Sequence, residues 1–352
     1  MTLRSKAPLA RFGIVALALG AATLAAGLSP TPAAPQAPIV IKLATFVPEG
    51  SVWHKALREM GAEWAQETNG RVQLKVYPGG VAGDEPDYVR KMRIGQIQAA
   101  AVTTAGLSQI DNSFQLFGVP MFFESYPELY AVLDKMTPIL KQRLDAKGFV
   151  LLNWGHGGWV YFFTKQDART VADIKKAKMY AMAGDDRWVQ LWKNNGYTPV
   201  ALAPSDMLTG LQTGMIEGCP TTPLLALTLQ WYKHTPHMVG IGMAPLVGGL
   251  VMTKQAWNKI SPADQAKVRA ACLRLERKLA TGVPKQDTSA VEEMKKRGLT
   301  VTQVSPAAVA EWHVAAEQFA KGMRGTLLPP DILDMATRER DAFRQRSAGA
   351  TR

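Results

Sequence analysis

Cysteine is scarce in this chain: Cys219 and Cys272 are the only two in 352 residues. One pair so far apart defines no disulfide framework, and two thiols alone cannot hold a structural zinc ion. Cys219 falls in a turn and Cys272 in a helix, so they read as two separate thiols. Histidine is nearly as scarce. Of the five, only His234 and His237 lie close together. Pro236 disrupts the helix that would bring both imidazoles to one face, and no carboxylate adjoins them, so no metal site is expected. There is no H-E-x-x-H, no G-x-S-x-G, no P-loop and no G-x-G-x-x-G following a strand. His156-Gly157-Gly158 echoes the oxyanion loop of esterases, but no nucleophile elbow follows it. A secreted hydrolase is therefore only a remote alternative. Gly155, Gly157 and Gly158 read instead as a hinge between two compact parts. No catalysis and no cofactor are expected.

Long apolar runs are confined to the N-terminus. Arg4, Lys6 and Arg11 precede the apolar run Phe12–Leu28, and a Pro/Ala-rich stretch, Ser29–Pro38, follows with small-residue cleavage options such as Pro35-Gln36-Ala37. The run is short for a bilayer span of ~20 residues. Residues 1–38 thus read as a secretion signal and its junction, and the mature chain is expected in the periplasm. No cysteine near the junction invites lipidation, and no Arg-Arg pair precedes the run. Further on, Leu224–Trp231 and Pro245–Met252 are too short to cross a membrane. Arg4, Lys6 and Arg11 carry three of the twelve net positive charges. The other nine are spread along segments such as Lys267–Lys278 and Lys295–Arg297, without a block of five or six. This is a solvated basic surface, not a nucleic-acid footprint.

The patterned part begins with Ile39, Ile41 and Leu43, which alternate as a strand does. Ser51 can cap a helix whose apolar face is Trp53, Leu57, Met60 and Trp64 and which stops at Asn69-Gly70. Val72–Val76 is a second strand. Asp84-Glu85-Pro86 opens a second helix ending near Gly95, and Ala99–Val102 is a buried strand. This β-α-β-α-β order predicts a parallel sheet covered by helices, with ligands bound at the strands' carboxyl ends. Strands are also expected at Phe149–Asn153, Trp159–Thr164, Tyr197–Leu202 and Gly249–Thr253. Helices are expected at Ser205–Thr213 and Leu224–Tyr232. Ser261-Pro262-Ala263-Asp264 starts a long helix to about Thr281, and Ser305-Pro306 starts another ending near Gly325. The end of the chain reads as a tail. Aromatic residues are dense in the middle: Trp154, Trp159, Tyr161, Phe162, Phe163, Tyr180, Trp188, Trp192 and Trp231.

Four segments, in this order, carry a family likeness. They are P-M-F-F-x-S-Y at Pro120–Tyr126, A-D-I-K-K-A-K-M-Y at Ala172–Tyr180, L-Q-T-G-M-I-E-G at Leu211–Gly218 and W-N-K-I-S-P-A-D-Q at Trp257–Gln265. Together the chain resembles the solute-binding proteins of tripartite ATP-independent periplasmic (TRAP) transporters over roughly residues 39–335. The resemblance implies an α/β, two-lobed, type II periplasmic binding-protein fold with a ligand cleft between the lobes and long C-terminal helices. It implies lobe I at 39–157 plus 248–288, lobe II at 158–247 plus 289–335, and a tail at 336–352. It also implies a receptor that hands a small molecule to TRAP membrane subunits and performs no chemistry.

The departures from the family pattern concern the ligand. The arginine that grips the ligand carboxylate in the family corresponds to Tyr180, and a second arginine to Val160. A family acid corresponds to Thr103, the Asn-Pro after the I-E-G turn to Thr222-Pro223, and a polar loop residue to Phe46. With Trp159, Met182 and Trp188, the candidate ligand-binding residues are then Phe46, Thr103, Trp159, Val160, Tyr180, Met182, Trp188 and Thr222. Bringing a carboxylate into a closed cleft costs several kcal/mol unless a charge meets it. Tyr180 offers one hydrogen bond and no charge, so an apolar or uncharged ligand is expected. A similar family branch with an aromatic at this position implies an apolar ligand and a helical-repeat periplasmic partner. The alternative is a carboxylate receptor in which Arg187 supplies the cation.

Overall fold

A computed structural model describes residues 37–350. The expected signal segment lies almost wholly outside the described residues. The expected β-α-β-α-β start forms. β1 (Ile39–Ala44) and β2 (Val72–Tyr77) pair in parallel, joined by α1 (Val52–Glu67). α2 (Glu85–Arg93) leads to β3 (Ala99–Thr103), which lies parallel on the other side of β1. Side-chain caps set the helix starts: Ser51 accepts from the His54 N–H and Asp84 from the Asp87 N–H. α1 buries Leu57, Met60 and Trp64, as its spacing predicts, while Trp53 is half-buried and donates its indole N–H to the His156 carbonyl.

A short helix, α3 (Thr104–Ser108), leads through a 3-10 segment to α4 (Tyr126–Ala146), which the sequence reading passes over. The strands expected at 149–153 and 159–164 are one strand, β4 (Phe149–Thr164). The glycines between them do not end it. They sit at a bulge: His156 opposes Val247 and Trp159 opposes Pro245, so one extra residue is fitted in. Gly158, at φ +106, supplies the backbone conformation that this bulge requires.

The second half continues with α5 (Val171–Lys176), β5 (Lys178–Met182), α6 (Asp186–Asn194), β6 (Thr198–Leu202), α7 (Met207–Thr213), β7 (Gly218–Thr221) and α8 (Pro223–Thr228). Short β8 (His237–Val239) is followed by β9 (Ala244–Thr253) and α9 (Lys254–Trp257). β9 is antiparallel to both β3 and β4, so the sheet is mixed, not parallel throughout. The order is β2-β1-β3-β9-β4-β7-β5-β6. β4 and β9 are the long strands that join its two halves. The lobe boundaries suggested near 157 and 248 fall inside them.

α10 (Pro262–Lys296) runs well past the expected end near Thr281 although Pro284 lies inside it. Proline lacks the N–H that would bond the carbonyl four residues earlier. That carbonyl is Ala280's, and the Tyr130 hydroxyl of α4 donates to it at 3.1 Å. α10 buries Val268, Cys272 and Val283 in the core beneath β1–β3 and Met294 in the core beneath β5–β7. β10 (Thr300–Thr302), α11 (Pro306–Met323) and α12 (Pro330–Ala350) complete the chain. Residues 336–350, expected as tail, are therefore helix. Ile332 and Ala336 are fully buried, and Arg344 of α12 reaches the buried Glu128 of α4 at 2.8 Å. No helix among the described residues is long and apolar enough to cross a membrane. Cys219 and Cys272 are both free and buried.

Candidate functional site

The loop after β1, the start of α2 and the end of β3 face β5, the loop after β6 and the end of β7 across one cavity of ≈ 580 Å³. Phe46, Thr103, Val160, Tyr180 and Met182 all line it. Tyr180 and Met182 share a face because they stand two apart on a strand. The remaining three candidates lie elsewhere. Trp159 neighbours Val160 on β4 and points the other way, into a separate cavity where it meets Tyr126 edge-on at 5.4 Å. Trp188, on α6, packs edge-on against Phe319 at 5.4 Å. Thr222 is fully buried, and its hydroxyl caps α8 by accepting from the Leu225 N–H. An arginine substitute is not at hand: Arg187 is exposed, donates to the Asn112 side chain at 3.0 Å and lies outside the cavity lining.

The carboxylates of this cavity carry no site signature in the sequence. Asp84, Glu85 and Asp87 line the cavity, while no lysine, arginine or histidine does. The only signal was the capping run Asp84-Glu85-Pro86, which explains a helix start equally well. Asp84 caps α2, and Asp87 pairs with Arg90 one turn on at 2.5 Å. Glu85 is different. It is 1% exposed and accepts from the Thr103 N–H, the Thr103 hydroxyl and the Gly106 N–H, each at 2.7 Å. Burial raises its pKa to about 7 in spite of these hydrogen bonds, which favour the ionised form. Thr103 is thus the main partner of an acid from the neighbouring helix. Burial also pushes the Tyr180 hydroxyl above its ordinary range, and nearby Cys219, Glu85 and Asp84 act in the same direction. Tyr180 is accordingly a neutral hydrogen-bonding group at the cavity wall.

Glu85 gives the fold a pH dependence with a definite sign. Its folded pKa, about 7, lies above its ordinary value of 4.5, so the folded state holds the proton more tightly. The associated stability is complete below about pH 4.5 and is lost as the pH rises through 7. The amount at stake is on the order of 3 kcal/mol. The amide introduced by Glu85→Gln cannot titrate. The melting temperature of that variant should therefore gain on that of the parent between pH 5 and pH 8. A constant difference across that range would show that Glu85 is ionised throughout.

A model of the bacterial extracellular solute-binding proteins, family 7 (DctP), matches residues 43–324. The chain belongs to this family. A solute-binding protein of Chromohalobacter salexigens is 26% identical over 225 residues, which is 62% of this chain and 65% of that protein, just under two thirds of its length. The C4-dicarboxylate-binding periplasmic protein DctP of Rhodobacter capsulatus is 24% identical over 290 residues, covering 82% of this chain and 86% of that one. In structure, the chain is similar to a TRAP periplasmic solute-binding protein from Xanthobacter autotrophicus Py2 with bound β-D-galacturonate. The TM-score is 0.79 at 21% identity, covering 86% of this chain and 99% of that one. The two-lobed fold is thus shared with TRAP receptors.

In this family 7 protein a second buried carboxylate marks the segment where β4 bulges. Asp287 of α10 accepts from the Trp159 N–H and from the Leu224 N–H of α8, both at 2.9 Å. Burial raises its pKa to about 6, against the pull of the two N–H groups. One carboxylate thereby ties a strand, a short helix and the long helix together.

Proposed function

We propose that this protein is a periplasmic receptor of a TRAP-type transporter that captures an uncharged, largely apolar solute and delivers it to the membrane subunits. Its leader is removed on export. The observation that carries this reading is the charge of the cavity wall: three carboxylates and no cationic side chain. The relatives described above are named for or contain organic acids, a C4-dicarboxylate and galacturonate. A carboxylate entering the present cavity would lose its hydration and meet like charge, with no cation to offset either cost. Phe46, Val160, Tyr180, Met182 and Leu225 offer apolar area instead, at ~25 cal/mol per Å² buried.

A melting-temperature screen against galacturonate and C4-dicarboxylates checks this. A ligand held only by the folded protein raises the melting temperature, and at a thousandfold excess over its Kd stabilises by about 4 kcal/mol. No such rise is expected from any of these acids at millimolar concentration. A rise of several degrees would overturn the reading, and its loss in Arg187→Ala would establish the carboxylate receptor in which Arg187 is the clamp.

A further inference from the structure

The face of β4 opposite the cleft borders a second crevice, of ≈ 880 Å³, which the loop before α4, the Pro284–Glu292 stretch of α10, β10 and α11 also line. Trp159 and Tyr161 stand on this face because they flank Val160, which lines the cleft. Tyr126 adds a third ring, edge-on to Trp159 at 5.4 Å and stacked on Tyr130 at 6.0 Å. Only a glycine at 242 leaves room for the Trp159 indole, which a Cβ there would strike. The walls also carry three carboxylates, Glu124, Asp287 and Glu292, and no lysine or arginine. Two of the three are met by cations from outside the crevice: Glu124 by Arg344 at 3.1 Å and Glu292 by Lys295 at 3.0 Å. Asp287 is met by none among the described residues. It is 6% exposed, and its partners are the uncharged Trp159 and Leu224 N–H groups. Its charge nonetheless reaches the rings: the Tyr126 and Tyr161 hydroxyls are pushed up first by burial and then by Asp287. A buried carboxylate without a counter-charge is unfavourable, and a cation beside it offsets that penalty.

We propose that this crevice is a second binding site, separate from the cleft, that takes an organic cation with a quaternary ammonium head. Each part of the class follows from the walls. Tryptophan and tyrosine faces attract a cation, and they do so most strongly where water is displaced. A metal ion needs several oxygen ligands, and no three His, Cys, Asp or Glu among the described residues are placed to hold one. A primary ammonium brings three N–H donors and a firmly held water shell. Both Asp287 oxygens already accept from backbone N–H groups, so the carboxylate acts here through its charge and not through a further hydrogen bond. A quaternary head has no N–H to satisfy and suits such a wall. The volume lies within the range of small-molecule sites and leaves room for a substituent beyond the head.

Choline and dimethylbutanol, its analogue with carbon in place of the charged nitrogen, are a suitable pair of probes, alike in shape and different in one charge. Titration calorimetry on the mature protein should show choline bound about tenfold more tightly, the effect of a desolvated cation over aromatic faces. In spectra of the 15N-tryptophan-labelled protein, choline should move the indole signal of Trp159 and leave in place that of Trp231, which lines the cleft, the two being assigned with Trp159→Phe and Trp231→Phe. Asp287→Asn keeps the shape of the side chain and removes its charge, so it should lose most of the preference for choline. Tyr161→Leu leaves the carboxylate and its bonds untouched and removes one ring, so it should weaken choline and spare the alcohol. That variant decides the matter should Asp287→Asn not fold. Equal affinities, no binding of choline at millimolar concentration, a preference that survives undiminished in Tyr161→Leu, or movement of the Trp231 signal in place of that of Trp159 would each overturn the site.

Discussion

Tyr180→Asp should lower the stability of the ligand-free protein by at least about 3 kcal/mol at pH 8, whereas Tyr180→Phe should cost no more than about 1.5 kcal/mol. Tyr180 is 9% exposed and stands close enough to Glu85 and Asp84 for their charges to act on its hydroxyl. An aspartate there is buried among apolar side chains and repelled by two acids. Phenylalanine keeps the ring and its packing against the core below and loses one hydroxyl. Tyr180→Arg should lie between the two, since its charge would be met by those same acids while its length disturbs the packing. Urea unfolding of the three variants at pH 8 and pH 5 checks the order. At pH 5 the aspartate variant should recover part of its loss as the buried carboxyl takes up a proton. An aspartate variant as stable as the phenylalanine variant would mean that the side chain at 180 stands in water and not at a dry cavity wall.

Gly158→Ala should cost about 2–4 kcal/mol, as much as a large core deletion. Two effects add. At φ +106 any side chain strains the backbone, and the new Cβ would lie 2.2 Å from the Asp287 carboxylate. That carboxylate cannot swing away cheaply, because it is held by the Trp159 and Leu224 N–H groups. The clash part should therefore disappear when Asp287→Ala is introduced as well. The double variant should lose clearly less than the two single losses added together. Thermal or urea unfolding of the three proteins measures this, and additive losses would show that the glycine and the carboxylate act independently.

Most of the fold was legible because its elements announce themselves locally. Alternating Ile39, Ile41 and Leu43, the capping serines Ser51, Ser261 and Ser305, and the Asn69-Gly70 stop are signals within a few residues of where they act. What was missed depends on contacts distant in sequence. The helix that starts at Ser261 runs past the expected end near Thr281 because the Ala280 carbonyl, which Pro284 leaves without its N–H, is met by Tyr130 from another helix. Gly155–Gly158 reads as a break between strands because the strand that carries β4 across the bulge, β9, comes much later in the chain. The tail reads as loose because only Glu128 and the α4 surface show what α12 packs on. The site divides in the same way. Phe46, Thr103, Val160 and Tyr180 are indicated by likeness to a family, and Met182 by its alternation with Tyr180; all five share one cavity wall. Trp159 and Trp188 were indicated by the same aromatic density, but strand alternation and helix facing send them into other cavities. Glu85 escaped notice because a glutamate beside a capping aspartate looks like ordinary helix-start chemistry.

The bond from Tyr130 to the Ala280 carbonyl also fixes where α10 can flex. A helix that bends at a proline has no ladder bond to break at that point, so rotation there is mechanically soft. Here the soft point is pinned from one side, by a hydroxyl on α4, while the helix beyond it carries Asp287 and Met294 toward α8 and the second core. One end is an anchored axle and the other a lever arm, so any swing of α10 about Pro284 pulls on the α8 N-terminus and the bulge of β4 together.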